Sequence, residues 1–317
     1  MRSKFSKNAL YVIVGFTFFA SVVTVFFDHW MAQLWVHFTL QYTFLLFILL
    51  LITLRYHARS FLTLIVAIGL LINVFKIIPF YFSKASDGFD HEENFTIMSI
   101  NLWSQNKSVA SVKYLLKKQD TDIIILLEYT HEWHKQLKEE MRNYPYHKMC
   151  VRSDNFGMAV FSKIAMETEL EINDVPQINA IVQTVNPFHL LIRHPRPPLN
   201  SVTYQAQKRM FNELEDFENN TTKPVVITGD LNSSSFSYSF NKLTNNTSLI
   251  DTRNGFGLQA TWPSQLGHLG ITLDHFLINN ELIVIDRKVL HDIGSDHLPV
   301  LLKFTNKKTA SVSQEAV

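Results

Sequence analysis

The hydrophobic pattern of this chain changes character near residue 84. Before that point, Ala9 to Phe27 carries no charge, Phe38 to Leu54 is interrupted only by Thr, Gln and Tyr, and Phe61 to Phe82 holds a single charge, Lys76. At about 1.5 Å of helical rise per residue, each run can cross the roughly 30 Å hydrocarbon layer of a bilayer. Three transmembrane helices are predicted, at about 9–27, 37–54 and 61–82, with the Lys76 ammonium snorkelling to the interface. A cleavable leader would account for the first run but not for three.

Beyond Lys84 the runs become short and alternating. Strands are predicted over Phe95 to Asn101, Asp122 to Glu128, Gly157 to Phe161, Glu167 to Ile172 and Ala180 to Val185. Five more follow, over Phe188 to His194, Val225 to Asp230, Leu273 to Ile278, Ile283 to Leu290 and Val300 to Phe304. Helical spacing recurs at Val109, Val112, Leu115 and Leu116, at Trp133, Leu137 and Met141, and at Met210, Leu214 and Phe217. So many strands with so few helices exceed one comfortable open sheet and predict two packed sheets with helices on the outer faces. The chain then divides into a membrane anchor (1–84), a linker (85–94) within the polar stretch Ser83 to Asn94, one domain (95–305) and a polar tail (306–317).

Charge and composition sharpen this division. Seven of the 29 cationic residues and one of the 28 anionic residues lie in 1–84, which leaves 22 against 27, a net charge of about −5, in 85–317. A domain that holds duplex nucleic acid by neutralising phosphates usually has the opposite sign. The single cysteine, Cys150, excludes an internal disulfide framework and a cysteine-based zinc site. Arg2, Lys4 and Lys7 precede the first span and Arg55 and Arg59 follow the second, whereas Asp28 to His37 has no Lys or Arg. This asymmetry predicts an integral membrane protein with the domain on the extracytoplasmic side.

Candidate chemistry gathers at strand ends. FTIMSIN ends at Asn101, DIIILLE at Glu128, FHLLIRH at His194, and VVITGDLN at Asp230 with Asn232 two residues on. LDHFLI and GSDHLPV add Asp274, Asp296 and His297. Asp and Asn are common turn residues at strand ends, but ends on one edge of a sheet also bring distant side chains together. Hard oxygen donors are what Mg²⁺ selects, and a histidine beside a carboxylate can act as a base toward water or donate to a phosphate oxygen.

The ordered set SIN, LLE, RHPRPP, GDLN, LDHF and GSDH is similar to the motif series of the endonuclease/exonuclease/phosphatase superfamily, over Phe95 to Phe304. RHPRPPLN and the surroundings of ATWPS resemble a membrane-anchored bacterial-type branch of it. The resemblance implies an α/β four-layer sandwich of two β-sheets flanked by helices. It implies Glu128 as the main metal carboxylate, with Asn101 near the metal or phosphate and Asp296 as a further metal carboxylate. Asp230 matches the residue that orients or deprotonates the attacking water, Asn232 one that holds a phosphate oxygen, and His194 a histidine on the scissile phosphate. His297 matches the second catalytic histidine, oriented by Asp274, and whether histidine or aspartate is the base stays open. Two positions depart from the pattern, Leu127 where glutamine is usual and Leu231 where an aromatic is usual.

The implied activity is hydrolysis of a phosphoester with Mg²⁺ or Mn²⁺, the substrate being a lipid headgroup, a small phosphoester or nucleic acid. A nuclease acting on extracytoplasmic DNA or RNA and a catalytically silent receptor or scaffold are the alternatives. Arg193 and Arg196 are candidate substrate-binding residues, and together with Arg152 and Lys163 would make a phosphate-facing patch. Trp262 reads either as the floor of the cleft or as a core residue. Nothing in the sequence predicts a protein partner.

Overall fold

The computed structural model describes residues 2–57, 60–82 and 93–307. The long apolar runs, rich in Leu, Ile and Phe, are helical, and their one proline, Pro79, opens a new short helix instead of interrupting one. Helix α1 (Arg2–Phe18) winds on through a π turn (Phe19–Val23) and a 3₁₀ turn (Thr24–Phe26). A short helix, α2 (Trp30–Val36), precedes α3 (Thr39–His57), and α4 (Phe61–Ile77) runs into α5 (Pro79–Phe82). Three stretches, Asn8–Phe26, Thr39–Tyr56 and Phe61–Phe82, are long and apolar enough to cross a membrane. The second starts two residues later than expected at residue 37, because His37 turns toward Ser234 instead. The Lys76 ammonium, expected to snorkel outward, donates 2.7 Å to the Ser21 carbonyl, and Asn73 donates to Ser21 Oγ.

Among the described residues, twelve strands form two six-stranded sheets. The first has the order β11 (Leu282–Val289), β12 (Val300–Asn306), β1 (Asn94–Asn101), β2 (Ile123–Leu127), β4 (Met158–Ser162), β3 (Tyr146–Cys150). The second has the order β5 (Met166–Ile172), β6 (Pro176–Val182), β7 (Phe188–Ile192), β8 (Val225–Asp230), β10 (Asp274–Ile278), β9 (Ile250–Asp251). Among these strands, β1–β2 and β7–β8 pair in parallel and the other neighbours antiparallel. Strands buried on both faces read as unbroken apolar runs, as IIILL does in β2. One face of each sheet contributes Ile97, Ile125, Leu190, Val226 and Phe304, among others, to a shared core between the sheets. The outer face of the first sheet packs on α6 (Val109–Lys118) and α7 (His131–Leu137), and that of the second on α8 (Ser201–Asn219) and α9 (Tyr238–Asn246). The result is the expected four layers: helices, sheet, sheet, helices.

Differences from expectation are local. Strands β3 and β9 and helix α9 add to the predicted set. The strand expected over Ala180 to Val185 begins at Pro176 and stops at Val182, where Gln183 N–H donates to Ala165 and Thr184 Oγ1 to the Asn186 carbonyl. The linker falls almost wholly within 83–92, outside the described residues, as do 308–317 of the tail.

The membrane-length helices meet the sandwich at several points. Asp28 accepts 2.7 Å from Tyr204 Oη and pairs with Lys208, and Gln41 Nε2 donates 2.6 Å to the Leu269 carbonyl. At the C-terminal end of the third such helix, Gly257 N–H donates 2.6 Å to the Phe80 carbonyl and the Arg253 guanidinium lies over the Phe80 ring at 4.4 Å.

Candidate active site

Strand register brings the candidate residues together. In the parallel pair β1–β2, Asn101 lies beside Leu127, so Asn101 and Glu128 leave the first sheet side by side. In β7–β8, Ile192 lies beside Thr228, so His194 and Asp230 leave the second sheet together, and Asp274 is the cross-strand partner of Asp230. The chain turns sharply at these ends. Glu128 (φ 54°) and Asn232 (φ 46°) occupy the left-handed region that non-glycine residues avoid, which is where strained functional positions cluster. Gly229 has φ 135°, and a Cβ there would lie 2.0 Å from the Arg193 carbonyl oxygen, so only glycine lets the two strand ends approach.

Asp230 sits at the centre of the cluster. Its Oδ2 lies 3.6 Å from His194 Nε2 and 3.5 Å from His297 Nε2, and accepts 3.1 Å from Asn101 Nδ2. Its Oδ1 accepts the Asn232 main-chain N–H at 2.9 Å. His297 Nδ1 is 2.8 Å from Asp274 Oδ2, while Asn232 Nδ2 donates to the Pro195 carbonyl at 2.9 Å. Ser295 Oγ donates to the Asn101 carbonyl and accepts the His297 N–H, fastening the loop before β12 to the end of β1. Glu128 accepts the Ser104 N–H at 2.8 Å, and Asp296 Oδ2 accepts the Trp262 indole N–H at 3.2 Å.

Burial and proximity set the charges. Burial raises the Asp230 carboxyl well above the usual carboxylate range, against the pull of His297. For His297 burial alone would favour the neutral ring, but the Asp274 and Asp230 carboxylates overcome it and raise the imidazole to about 10. Burial pushes His194 down to about 4, with His297 adding to the effect, so His194 is neutral although Asp230 is close. Asp230 is raised by burial and His297 by its carboxylate neighbours, and the hydrogen bond to Asp274 favours keeping the proton on His297. Burial also raises Glu128, partly offset by its hydrogen bonds from Ser104 and Asn101.

Two groupings offer metal-ligand atoms. Asp230, Asp274 and His297 present atoms within 4.8 Å of one another, but the 2.8 Å Asp274–His297 hydrogen bond already occupies that pair. Glu128 and Asp296 are the better fit to a hard divalent cation. Both are oxygen donors lining one cleft, their charges repel, and Asp296 Oδ1 is buried with no partner in the protein.

The cleft has a volume of about 450 Å³, and Glu128, His194, Asp230, Asn232, Asp296 and His297 all line it. Asn101 and Asp274 lie just beneath, held to Asp230 and His297. Trp262 lines the cleft and so takes the first of its two readings. The expected basic patch does not form. Arg193 is buried, with its guanidinium donating to the Ile178 and Ile192 carbonyls and to Asn179 Oδ1. Arg196 pairs with Asp174 and stacks on Phe156, Arg152 pairs with Asp154, and Lys163 with Asp120. Sequence reasoning missed Asn155 and Phe156, and it missed Leu34, His37 and Phe38, which reach the cleft from between the first two membrane-length helices. Their only sequence signal is the absence of charge between Trp30 and Phe38.

The profile of the Endonuclease/Exonuclease/phosphatase family matches residues 98–297. No curated protein matches the chain. Among solved structures, D. rerio TDP2 complexed with single strand DNA product is 14% identical with a TM-score of 0.57, over 68% of this chain and 100% of that one. An endonuclease/exonuclease/phosphatase from Beutenbergia cavernae is 14% identical with a TM-score of 0.53, over 68% and 72%. A family protein from Bacteroides thetaiotaomicron is 14% identical with a TM-score of 0.52, over 68% and 96%. At these identities the likeness is one of fold.

Proposed function

This chain belongs to the endonuclease/exonuclease/phosphatase family, and from that premise we propose that it hydrolyses a phosphoester by direct attack of water, with a bound Mg²⁺ or Mn²⁺. The observation that carries this reading is the convergence of His194 Nε2 and His297 Nε2 on Asp230 Oδ2, at 3.6 and 3.5 Å, beside Glu128 and Asp296 in one cleft.

Glu128 and Asp296 would hold the cation, with Asn101 orienting Glu128 and Asp230. A divalent ion bound there neutralises the charge that develops on the phosphoryl oxygens. The protein's own groups do the rest. Asp230, raised by burial, takes the proton of the attacking water at Oδ2, while its Oδ1 is held by the Asn232 N–H. His297, kept cationic by Asp274, donates from Nε2 to a phosphoryl or leaving oxygen. His194 contacts the same phosphate as a neutral ring, and Asn232 retains one amide N–H beyond the one given to Pro195.

A nuclease is supported by the fold shared with the DNA-bound TDP2 structure, but none of the described side chains lining the cleft is Lys or Arg, so a nucleic-acid backbone would meet no cationic track. A silent scaffold has no physical reason to bury Asp230, Asp274 and Glu128 around two histidines.

The test uses the purified full-length chain in detergent with bis(p-nitrophenyl) phosphate. Turnover with Mg²⁺ or Mn²⁺, abolished by EDTA and reduced about 100-fold or more by Asp230→Ala, is expected. Metal-independent turnover, or full activity in Asp230→Ala, would overturn the proposal.

A further inference from the structure

One part of the cleft lining comes from the segment between the first two membrane-length helices. Leu34 at the end of α2, His37 and Phe38 all line it, and Thr39, the next residue, begins the second stretch apolar enough to cross a membrane. The cleft therefore lies within about one helical turn of the membrane surface, the level at which lipid phosphates sit.

Helix α2 is two-sided. Ala32, Gln33 and Val36 are buried, whereas Met31, Leu34, Trp35 and Phe38 are exposed, and Trp35 packs edge-on against Phe16 of α1 at 5.2 Å. Its apolar outer side is thus continuous with a membrane-length helix at one edge and with the cleft at the other. Four more exposed aliphatic residues extend this apolar rim onto the segments that line the cleft or dock the helices. Leu199 and Val202 stand at the start of α8, whose Tyr204 and Lys208 hold Asp28, and Leu266 and Leu269 stand where Gln41 is anchored. A cleft for a soluble substrate has no need of such a rim, which costs free energy in water and none against hydrocarbon.

His37 has a defined role in this wall. Its Nδ1 accepts the Ser234 main-chain N–H at 3.3 Å and lies 2.8 Å from Ser234 Oγ, so the ring proton is on Nε2, a hydrogen-bond donor at the cleft wall.

We infer that the substrate is a phosphoester lipid of the membrane in which the chain itself sits, entering laterally between α2 and the Leu199 and Leu269 rims. Leu34 and Phe38 contact the lipid next to its phosphate, and His37 Nε2–H donates to a headgroup or ester oxygen. This inference rests on the hydrolase reading above and adds its substrate class.

The experiment places the full-length chain in phosphatidylcholine nanodiscs doped with phosphatidylglycerol, phosphatidylethanolamine or phosphatidic acid, with Mg²⁺ or Mn²⁺. The same lipids are supplied in separate, protein-free nanodiscs, and single-stranded DNA and bis(p-nitrophenyl) phosphate serve as soluble substrates. Expected is hydrolysis of at least one lipid, faster in the protein's own disc than in separate discs. The paired substitution Leu34→Asp with Phe38→Ser should lower the ratio of lipid to soluble-diester turnover about tenfold or more, the loss expected when apolar side chains no longer bury against the lipid. His37→Ala should lower the same ratio. Turnover of the soluble diester without turnover of any lipid, equal rates from the two sets of discs, an unchanged ratio in the variants, or preference for DNA would each overturn the inference while leaving the hydrolase reading standing. Failure on every substrate, the soluble diester included, would remove both.

Discussion

The Asp274 carboxylate, also hydrogen-bonded by Thr261, makes a 2.8 Å hydrogen bond to His297 Nδ1 that fixes both the orientation and the charge of the histidine. Asp274→Asn keeps the shape but removes the charge that holds the imidazole up at about 10, so His297 would no longer be a reliable cation at neutral pH. The expected outcome is a fall in kcat of about 10²- to 10⁴-fold on bis(p-nitrophenyl) phosphate, with KM changed far less. A variant with wild-type kcat would remove His297 from the chemistry. His275, one residue along β10, has the opposite protonation. It is buried under Phe240 with Nε2 2.8 Å from the Ser233 carbonyl. Asp251 lies 3.9 Å from its other nitrogen, but Arg253 already pairs with that carboxylate, and burial pushes His275 down to about 4. Between pH 4 and the ordinary value near 6.5 the unfolded chain binds a proton that the folded chain refuses. Stability therefore falls as the pH drops through that window, by about 1.4 kcal/mol per pH unit for this group. His194 adds a slope of the same sign, whereas the contribution of His297 is complete below about 6.5 and is lost as the pH rises toward 10. Thermal unfolding followed at a series of pH values should show a shallower acid-side slope in His275→Gln than in the natural chain; equal slopes would mean that the ring is not held neutral.

At the scale of elements, the site depends on two strand pairs ending together, and Gly229 is where that depends on one atom. Gly229→Ala would put a methyl group 2.0 Å from the Arg193 carbonyl and force alanine to φ 135°. Strand β8 would have to move away from β7, with a loss of about 3 kcal/mol or more, readable as a lower Tm together with loss of activity. An unchanged Tm would show that the two strand ends have slack. The same elements explain what could be read from the sequence. β1, β2, β7 and β8 are apolar runs that stop at a polar residue, so both the strands and the residues they deliver were legible in the order of motifs. Strand β3, YHKMC, lies at a sheet edge with partly exposed side chains and no alternation, and β9 has two residues. Helix α9, YSFNKLTNN, is rich in residues that favour turns and buries only Phe240, Leu243 and Ser239. Arg193 was a candidate substrate-binding residue, but period-two alternation along the extended chain sends it to the opposite side from its neighbour His194. The part of the cleft contributed by Leu34, His37 and Phe38 was not legible, because it arises from docking between segments far apart in sequence and leaves no periodic trace in either.

At the scale of the whole molecule, the docking contacts constrain how the chain is threaded. Asp28 and Gln41, which bracket the segment between the first two membrane-length helices, contact Tyr204 and Leu269 of the sandwich. Phe80, at the far end of the third, contacts Gly257 and Arg253 of the same sandwich. The end of the first helix, the start of the second and the end of the third thus all meet the sandwich, as they would if the three helices crossed a membrane in succession. In the sequence, Arg2, Lys4 and Lys7 stand before the first apolar run, and Arg55 and Arg59 stand between the second and the third. Positive charge in short loops marks the cytoplasmic face, so the sandwich is expected on the opposite one. A periplasm-active phosphatase fused after Val317 should be active, and a cytoplasm-dependent fluorescent protein at the same point should be dark. Replacing the five cations with Gln should weaken that preference and give a mixed population. A bright fluorescent fusion with an inactive phosphatase would place the cleft in the cytoplasm. On the lipid-substrate inference, the docking contacts would then present the cleft to the other leaflet, and the expected substrate would remain a lipid of the same bilayer.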